Sequence, residues 1–331
     1  MASLMVCGAI NWDISCFVQH LPEPGEEVTV KRIIRVSGGT GANVAVAAAR
    51  ILGAEEVALI GALGRDDIAR QQIAALKEEG VIVTGIQQIE GVESGQAYIM
   101  IDQKGENIIA SYLGANARLA LKHLKKVEVK VEVKRELRES QGIVLTDPPL
   151  EVAEALIDIA KRQALPVLWD PGILIAPHRE VLLSLTKQVD VFFLNETEGN
   201  ALFGTSGVNV TLRHLRELGF ENHVVLKLGA RGAVMLEPAS GMAMEVPALP
   251  LKKLGLSVVS TVGCGDVFAG VFAAYYVTGA NLQESLIMAS AAAGINATKP
   301  ETRGSPSRAD LEEVVSRSRK LGFGAQERKL L

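Results

Sequence analysis

A chain of 331 residues with 48% hydrophobic and 22% charged side chains has the length and apolar content to bury a large core, which excludes extended disorder. Its formal net charge of -4 and pI near 5.9 give no basic field for nucleic-acid phosphates or a membrane surface, so a small neutral or anionic ligand is expected. Cys7, Cys16 and Cys264 share no metal-type spacing, the N-terminus lacks a basic leader, and the longest apolar stretch, Val267 to Val277, is about half of the ~20 residues a spanning helix needs; the sequence reads as a soluble cytoplasmic protein.

Along the chain, short β-branched runs alternate with helical patterns: LMVCGAI, NVAVAAARIL, VALIGAL, DIARQQIAALKEEG, GIVLTD, PLEVAEALIDIAKRQ, PVLWD, VFFLN, ETEGNALF, LRHLREL and HVVLKLG. This order predicts an α/β fold with a mainly parallel sheet covered on both faces. Ligands of such sheets bind beyond the carboxyl ends of the strands, where Asn11, Asp13, Asp147, Asp170, Asn195 and Lys227 fall.

Two stretches break the rhythm. EEVTVKRIIRVS (26–37) and GQAYIMIDQKGENIIASYL (95–113) alternate without an intervening helix, the second with a hairpin turn at Asp102 to Gly105. They predict a small antiparallel β lid, discontinuous at about 14–37 and 95–113, over the ligand site; an edge extension is the plainer alternative. The charge-rich connector KHLKKVEVKVEVKRELRES (122–140) is a solvated surface whose secondary structure the pattern leaves undecided. Residues 1–320 are expected to form one α/β domain, and 321–331 a loose C-terminal tail.

Two glycine-rich segments carry the chemistry. In SGGTGANVAVAAARILG (37–53), glycines permit close backbone approach, and Asn43 enters the first turn of an alanine-rich helix where a hydroxylated ligand can meet it. A dinucleotide fingerprint would need glycine where Val44 stands and an acid at the end of the next strand, which closes instead on Gly64; the oxidoreductase reading is demoted accordingly. In STVGCGDVFAGVFAAYY (260–276), Gly263, Cys264 and Gly265 can bend so that successive amides converge beside a helix start, forming an anion hole. Asp266 is then either a helix cap or a base that accepts a hydroxyl proton while the hole holds phosphoryl charge.

These segments, with NETEG (195–199) and KLGARG (227–232), occur in an order that resembles the ribokinase-like, or PfkB-type, family of carbohydrate and nucleoside kinases, from about residue 3 to 315. The resemblance implies a three-layer αβα sandwich with a β lid, ATP and Mg²⁺ as cofactors, and Asp266 as catalytic base beside an anion hole of Gly263, Cys264 and Gly265. It implies that Asn195 and Glu198 organise Mg²⁺, Glu198 through water, against a plain reading of a helix cap and a solvated carboxylate. Lys227, Gly229 and Gly232 would line the nucleotide, and Asn296 would approach the adenine or pack in the core. Asn11, Asp13, Gly39, Thr40 and Asn43 would bind the acceptor, a carboxylate such as Asp13 suiting a diol.

The chain departs from ribokinases, which usually have Lys where it has Thr40 and Asp-Thr-Thr where it has Ser260, Thr261 and Val262. The first change weakens the case for free ribose; the second argues against potassium dependence. WDPG (169–172) and TDPP (146–149) resemble nucleoside-phosphorylating branches. The expected function is therefore γ-phosphoryl transfer from ATP to a primary hydroxyl of a ribose-type sugar or a nucleoside. A phosphofructokinase would need a cationic clamp, for which Lys31, Arg32 or Arg35 on the lid are candidates, and a silent sugar-binding protein would not need Asp266. The lid is also a candidate homodimer contact.

Overall fold

The structure, a computed structural model, describes residues 2–121, 137–205 and 207–330, apart from the Ala176 side chain; positions 122–136 of the connector lie outside the described residues. Its main sheet has eleven strands among the described residues. Seven neighbours run parallel, in the order Val81–Ile82, Val57–Leu63, Leu4–Cys7, Ile143–Leu145, Val167–Trp169, Val191–Asn195 and His223–Lys227. These strands read as unbroken apolar runs because helices cover both faces. Within Leu4–Cys7, Leu4 and Val6 enter one core with the helices Thr40–Leu52, Cys264–Val277 and Leu282–Asn296, whereas Met5 and Cys7 enter the other with Leu150–Gln163 and Val208–Glu217. The result is the three-layer sandwich expected from the sequence.

Strand order reverses at Leu4–Cys7, whose two parallel neighbours are reached from opposite sides, and this opens a crevice at its carboxyl end. Two helices converge there. A Cβ on Gly270 would stand 2.5 Å from the Val44 carbonyl oxygen, so glycine lets helices Thr40–Leu52 and Cys264–Val277 touch backbone to backbone, with Asn43 and Asp266 adjacent at their starts.

A second sheet of four strands, in the order Arg32–Gly38, Asn11–Phe17, Gly95–Ile101 and Asn107–Tyr112, stands where the lid was expected. Its outer pairs are antiparallel, but Asn11–Phe17 and Gly95–Ile101 pair in parallel because the chain passes through the main sheet between them. The expected loose tail is corrected: Gln326–Lys329 forms the edge strand of the main sheet, antiparallel to Met242–Val246, and Arg328 pairs with Glu245. All four of its residues are exposed, so no apolar alternation marked it. No described helix is long and apolar enough to cross a membrane.

Candidate active site

The helix bearing Asp266 begins at Cys264, with Gly263 as its N-cap at φ 77°. A Cβ on Gly263 would collide with the Thr302 carbonyl oxygen, so both conformation and space demand glycine. Asp266 is the third helical residue, with Gly263 and not Asp266 as the N-cap, so its carboxylate stands in the first turn and the N-cap reading does not hold. Its Oδ2 accepts a 2.8 Å bond from Asn43 Nδ2. Removal from water, followed by the charges of Asp170 and Asp147, pushes its pKa up to about 7; the Asn43 bond and Lys227 oppose the rise. The expected anion hole is modified at one donor, since the Cys264 amide already gives a 3.3 Å bond to the Thr261 carbonyl. The amides of Gly263, Gly265 and Asp266 give no bond to another described residue and are the donors left to the hole.

On the acceptor side, Asp13 is buried, and a Cβ on Gly38 would fall inside its carboxylate. Burial raises the Asp13 pKa to about 6, with Arg303 drawing it back down. Asn11 is oriented by Asn116, whose Nδ2 donates to Asn11 Oδ1 at 2.9 Å while its Oδ1 accepts from the Ile10 amide at 2.9 Å. Gly39 is held by the strand end, because a Cβ there would come within 2.6 Å of the Ala9 carbonyl oxygen. Thr40 donates to Asp147 Oδ1 at 2.6 Å, and the same oxygen accepts from Thr146 Oγ1 at 2.9 Å and the Ala9 amide at 3.0 Å. From Ala9, Asn116 and Asp147 a cavity of about 870 Å³ extends outward past Leu113, Arg118 and His178.

The nucleotide-side residues divide. Asn195 and Glu198 form a full capping box: Asn195 Oδ1 accepts the Glu198 amide, and Glu198 Oε2 accepts the Asn195 amide, both at 2.8 Å. The capping reading thus holds for Asn195, but Glu198 is half-buried, and burial together with Asp170 raises its pKa. Lys227, in register beside Asn195, pairs with Asp170. Gly229 opens on free space, whereas a Cβ on Gly232 would strike the Val246 carbonyl, so Gly232 answers to strand packing. Of the two readings of Asn296, adenine contact and core packing, the hydrogen bonds describe the second. Asn296 is fully buried and donates to the Val262 carbonyl at 3.2 Å and to Cys264 Sγ at 3.5 Å, bracing the anion-hole turn from behind.

Sequence reasoning missed Arg303. Its Nε donates to Asn43 Oδ1 at 2.9 Å and its Nη2 to the Gly38 carbonyl at 2.8 Å, so one guanidinium ties the acceptor strand to the residue that holds Asp266. Arg50 supports it from below, bonding the Arg303 and Ser305 carbonyls at 2.9 and 2.6 Å while paired with Glu79. No motif marks these arginines, and Arg303 lies 260 positions from Asn43. Asp147 carried a weaker signal, a carboxylate just beyond a strand end.

Over residues 1–309 the chain matches the model of pfkB family carbohydrate kinases. It is 28% identical over 331 residues to the ribokinase of Lactococcus lactis, covering 97% of this chain and 98% of that relative. It is also 28% identical over 320 residues to the deoxyribokinase of Salmonella typhi, covering 95% and 98%. A solved ribokinase from Arabidopsis thaliana, complexed with ribose and ATP, is similar with a TM-score of 0.79 at 25% identity, covering 95% of this chain and 99% of that one.

Proposed function

We propose that this chain, which belongs to the pfkB family of carbohydrate kinases and is an ATP-dependent sugar phosphotransferase, transfers the γ-phosphoryl group to the primary hydroxyl of a ribose-type sugar. The observation that carries this reading is the Asn43–Asp266 bond, which sets a carboxylate of pKa about 7 between the acceptor strand and the orphan amides. Asp266 takes the hydroxyl proton as the acceptor oxygen bonds to the γ-phosphorus; the bond from phosphorus to the bridging oxygen breaks, and ADP leaves with that electron pair. The amides of that turn left free, Gly263, Gly265 and Asp266, hold the charge on the transferring group. Asn11, Asp13, Gly39, Thr40 and Asn43 face or frame the acceptor, with Asp147 added to them.

Mg²⁺ suits the donor set. No described cluster of three or more His, Cys, Asp or Glu residues could cage a metal by itself, but Glu198 offers a carboxylate of the kind Mg²⁺ takes together with phosphates and water, Asp170 being paired with Lys227. Bound there, the ion would offset phosphate charge; Asn195 and Glu198 would hold its waters.

The relatives favour free ribose or deoxyribose. A nucleoside stays the second reading, because a cavity of about 870 Å³ adjoins the acceptor residues at Asn116 and Asp147 and has room for a base. Of the lid cations expected to clamp a hexose phosphate, Arg35 pairs with Ile14 on the sheet face opposite Asp13 and Arg32 stacks on Phe17. A coupled ADP-release screen over ribose, deoxyribose, nucleosides, fructose 6-phosphate, myo-inositol and keto-deoxy sugars tests the assignment. Turnover is expected with a pentose or nucleoside; none on any acceptor would favour a silent sugar-binding protein.

Asp13→Asn keeps shape but loses charge. Charge-assisted bonds to a diol are worth roughly 1.5–3 kcal/mol, so acceptor kcat/KM should fall by about 10–150-fold with ATP binding intact. An unchanged acceptor constant would return Asp13 to a structural role.

In this reading the main sheet with its helices, the edge strand Gln326–Lys329 included, acts as one kinase domain and the four-stranded sheet is its lid, which excludes water when closed. Replacing 97–111 by a short turn should raise acceptor KM far more than ATP KM, and equal effects would make the sheet an edge extension. The lid face opposite Asp13 exposes Ile33, Tyr98, Ile108 and Tyr112, which supports a homodimer through it.

A further inference from the structure

Lys227 ends its strand with its ammonium inside the protein, where cations are costly unless paired. Burial works against its charge, but Asp170, Glu198 and Asp266 together outweigh that and hold its pKa above the usual lysine value. Its partner Asp170 lies just beyond strand Val167–Trp169, and the two side chains are only 15% and 11% exposed. Lys227 Nζ also stands 3.2 Å from where a Cβ on Gly265 would be, alongside the first-turn amides. One ammonium is therefore within reach of the anion hole, the acceptor base and the carboxylate expected to organise Mg²⁺.

We propose that Lys227 is a catalytic residue whose ammonium bonds the transferring phosphoryl group, and that Asp170 holds it in place when no nucleotide is bound. This rests on the kinase reading above and goes beyond a wall contact to the nucleotide. Three carboxylates around one cation leave the cluster net negative, a poor host for a triphosphate. As the γ-phosphoryl oxygens enter beside Gly265 they meet a cation already desolvated, and the ammonium exchanges part of its bonding from Asp170 to them. No proton moves from Lys227: Asp266 takes the hydroxyl proton, and the lysine contributes only charge as negative density spreads over the phosphoryl oxygens.

The test uses the full chain as wild type, Lys227→Met and the double variant Asp170→Asn/Lys227→Met. Calorimetry with Mg²⁺ measures ADP alone and ADP with aluminium fluoride, a mimic of the phosphoryl group in flight that needs no acceptor. Both variants should lose about 10²–10³-fold in affinity for the fluoride complex, the scale of removing one transition-state donor, while ADP alone changes only a few-fold; kcat should fall in parallel. The double variant removes the carboxylate that Lys227 pairs with directly, so it keeps the result readable if the single variant folds poorly. Recovery of fluoride-complex affinity in the double variant would show that Lys227 only neutralises Asp170 and would overturn the proposal. Equal losses for ADP and the fluoride complex would overturn it too, by making Lys227 a nucleotide wall. If the wild type binds the fluoride complex but turns over no acceptor in the screen, the acceptor assignment fails and the lysine assignment stands on binding; if it binds neither nucleotide form, both fall.

Discussion

Asp266→Asn is expected to lower kcat by about 10²–10⁴ while ATP and acceptor still bind, because the amide cannot take a hydroxyl proton. Helix Cys264–Val277 should survive the change, since its N-cap is Gly263 and the new amide oxygen can still accept from Asn43. Stability gives an independent sign. Folding raises the Asp266 pKa from 3.8 to about 7, so between those values the folded chain holds the extra proton. Stability contributed at this site then falls as pH rises through that window, and the cost of the buried charge is fully present above about 7. Asn carries no charge to bury, so the variant should melt higher than wild type at pH 8, with the difference shrinking toward pH 4. Wild-type kcat/KM should decline below about pH 7 as Asp266 takes up its proton. Activity within a few-fold of wild type would remove Asp266 as the base, whatever the melting curves show.

The layer order was legible because parallel strands such as Val57–Leu63 are buried on both faces and so read as apolar runs between helical periods. The lid was legible for the opposite reason: its strands lack intervening helices, and Asp102 to Gly105 mark a turn. Gln326–Lys329 escaped notice because a strand held by backbone pairing at an exposed edge leaves no trace in side-chain period. In the site, residue types at strand and helix ends were readable, but their partners were not. Nothing in NETEG separates a capping box from a metal platform, since the same two side chains serve both, and only the burial of Glu198 adds a distinction. For Asn296 the run AAGINAT left adenine contact and core packing open, because it shows a residue buried near the site but not which way it faces. Arg303 and Arg50 could not be read at all, because their meaning lies in carbonyls and amides brought together only by the packed helices.

Asn43→Asp should separate the tuning of the base from its placement. The new carboxylate would accept from Arg303 Nε as Asn43 Oδ1 now does at 2.9 Å, gaining charge assistance, so folding should be unharmed. Toward Asp266 the change has the opposite sign. A donor that lowers its pKa becomes a like charge that raises it, and two carboxylates at a separation now spanned by a 2.8 Å bond cannot both ionise at neutral pH. Because Arg303 favours charge on residue 43, the shared proton should reside on Asp266, leaving the base occupied. A rise of two pKa units would cut the ionised fraction, and kcat at pH 7, by about 50-fold. Raising the pH should then restore much of the rate, and the acid limb of the profile should lie about two units above that of wild type. Asn43→Ala provides the contrast, since it removes the donor without adding charge and leaves Arg303 Nε without its acceptor, so it should lose stability and shift the limb less. Should Asn43→Asp lose the same factor at every pH, Asn43 would serve as a hydrogen-bond donor to the acceptor alone, and the coupling of Arg303 to the base through it would be wrong.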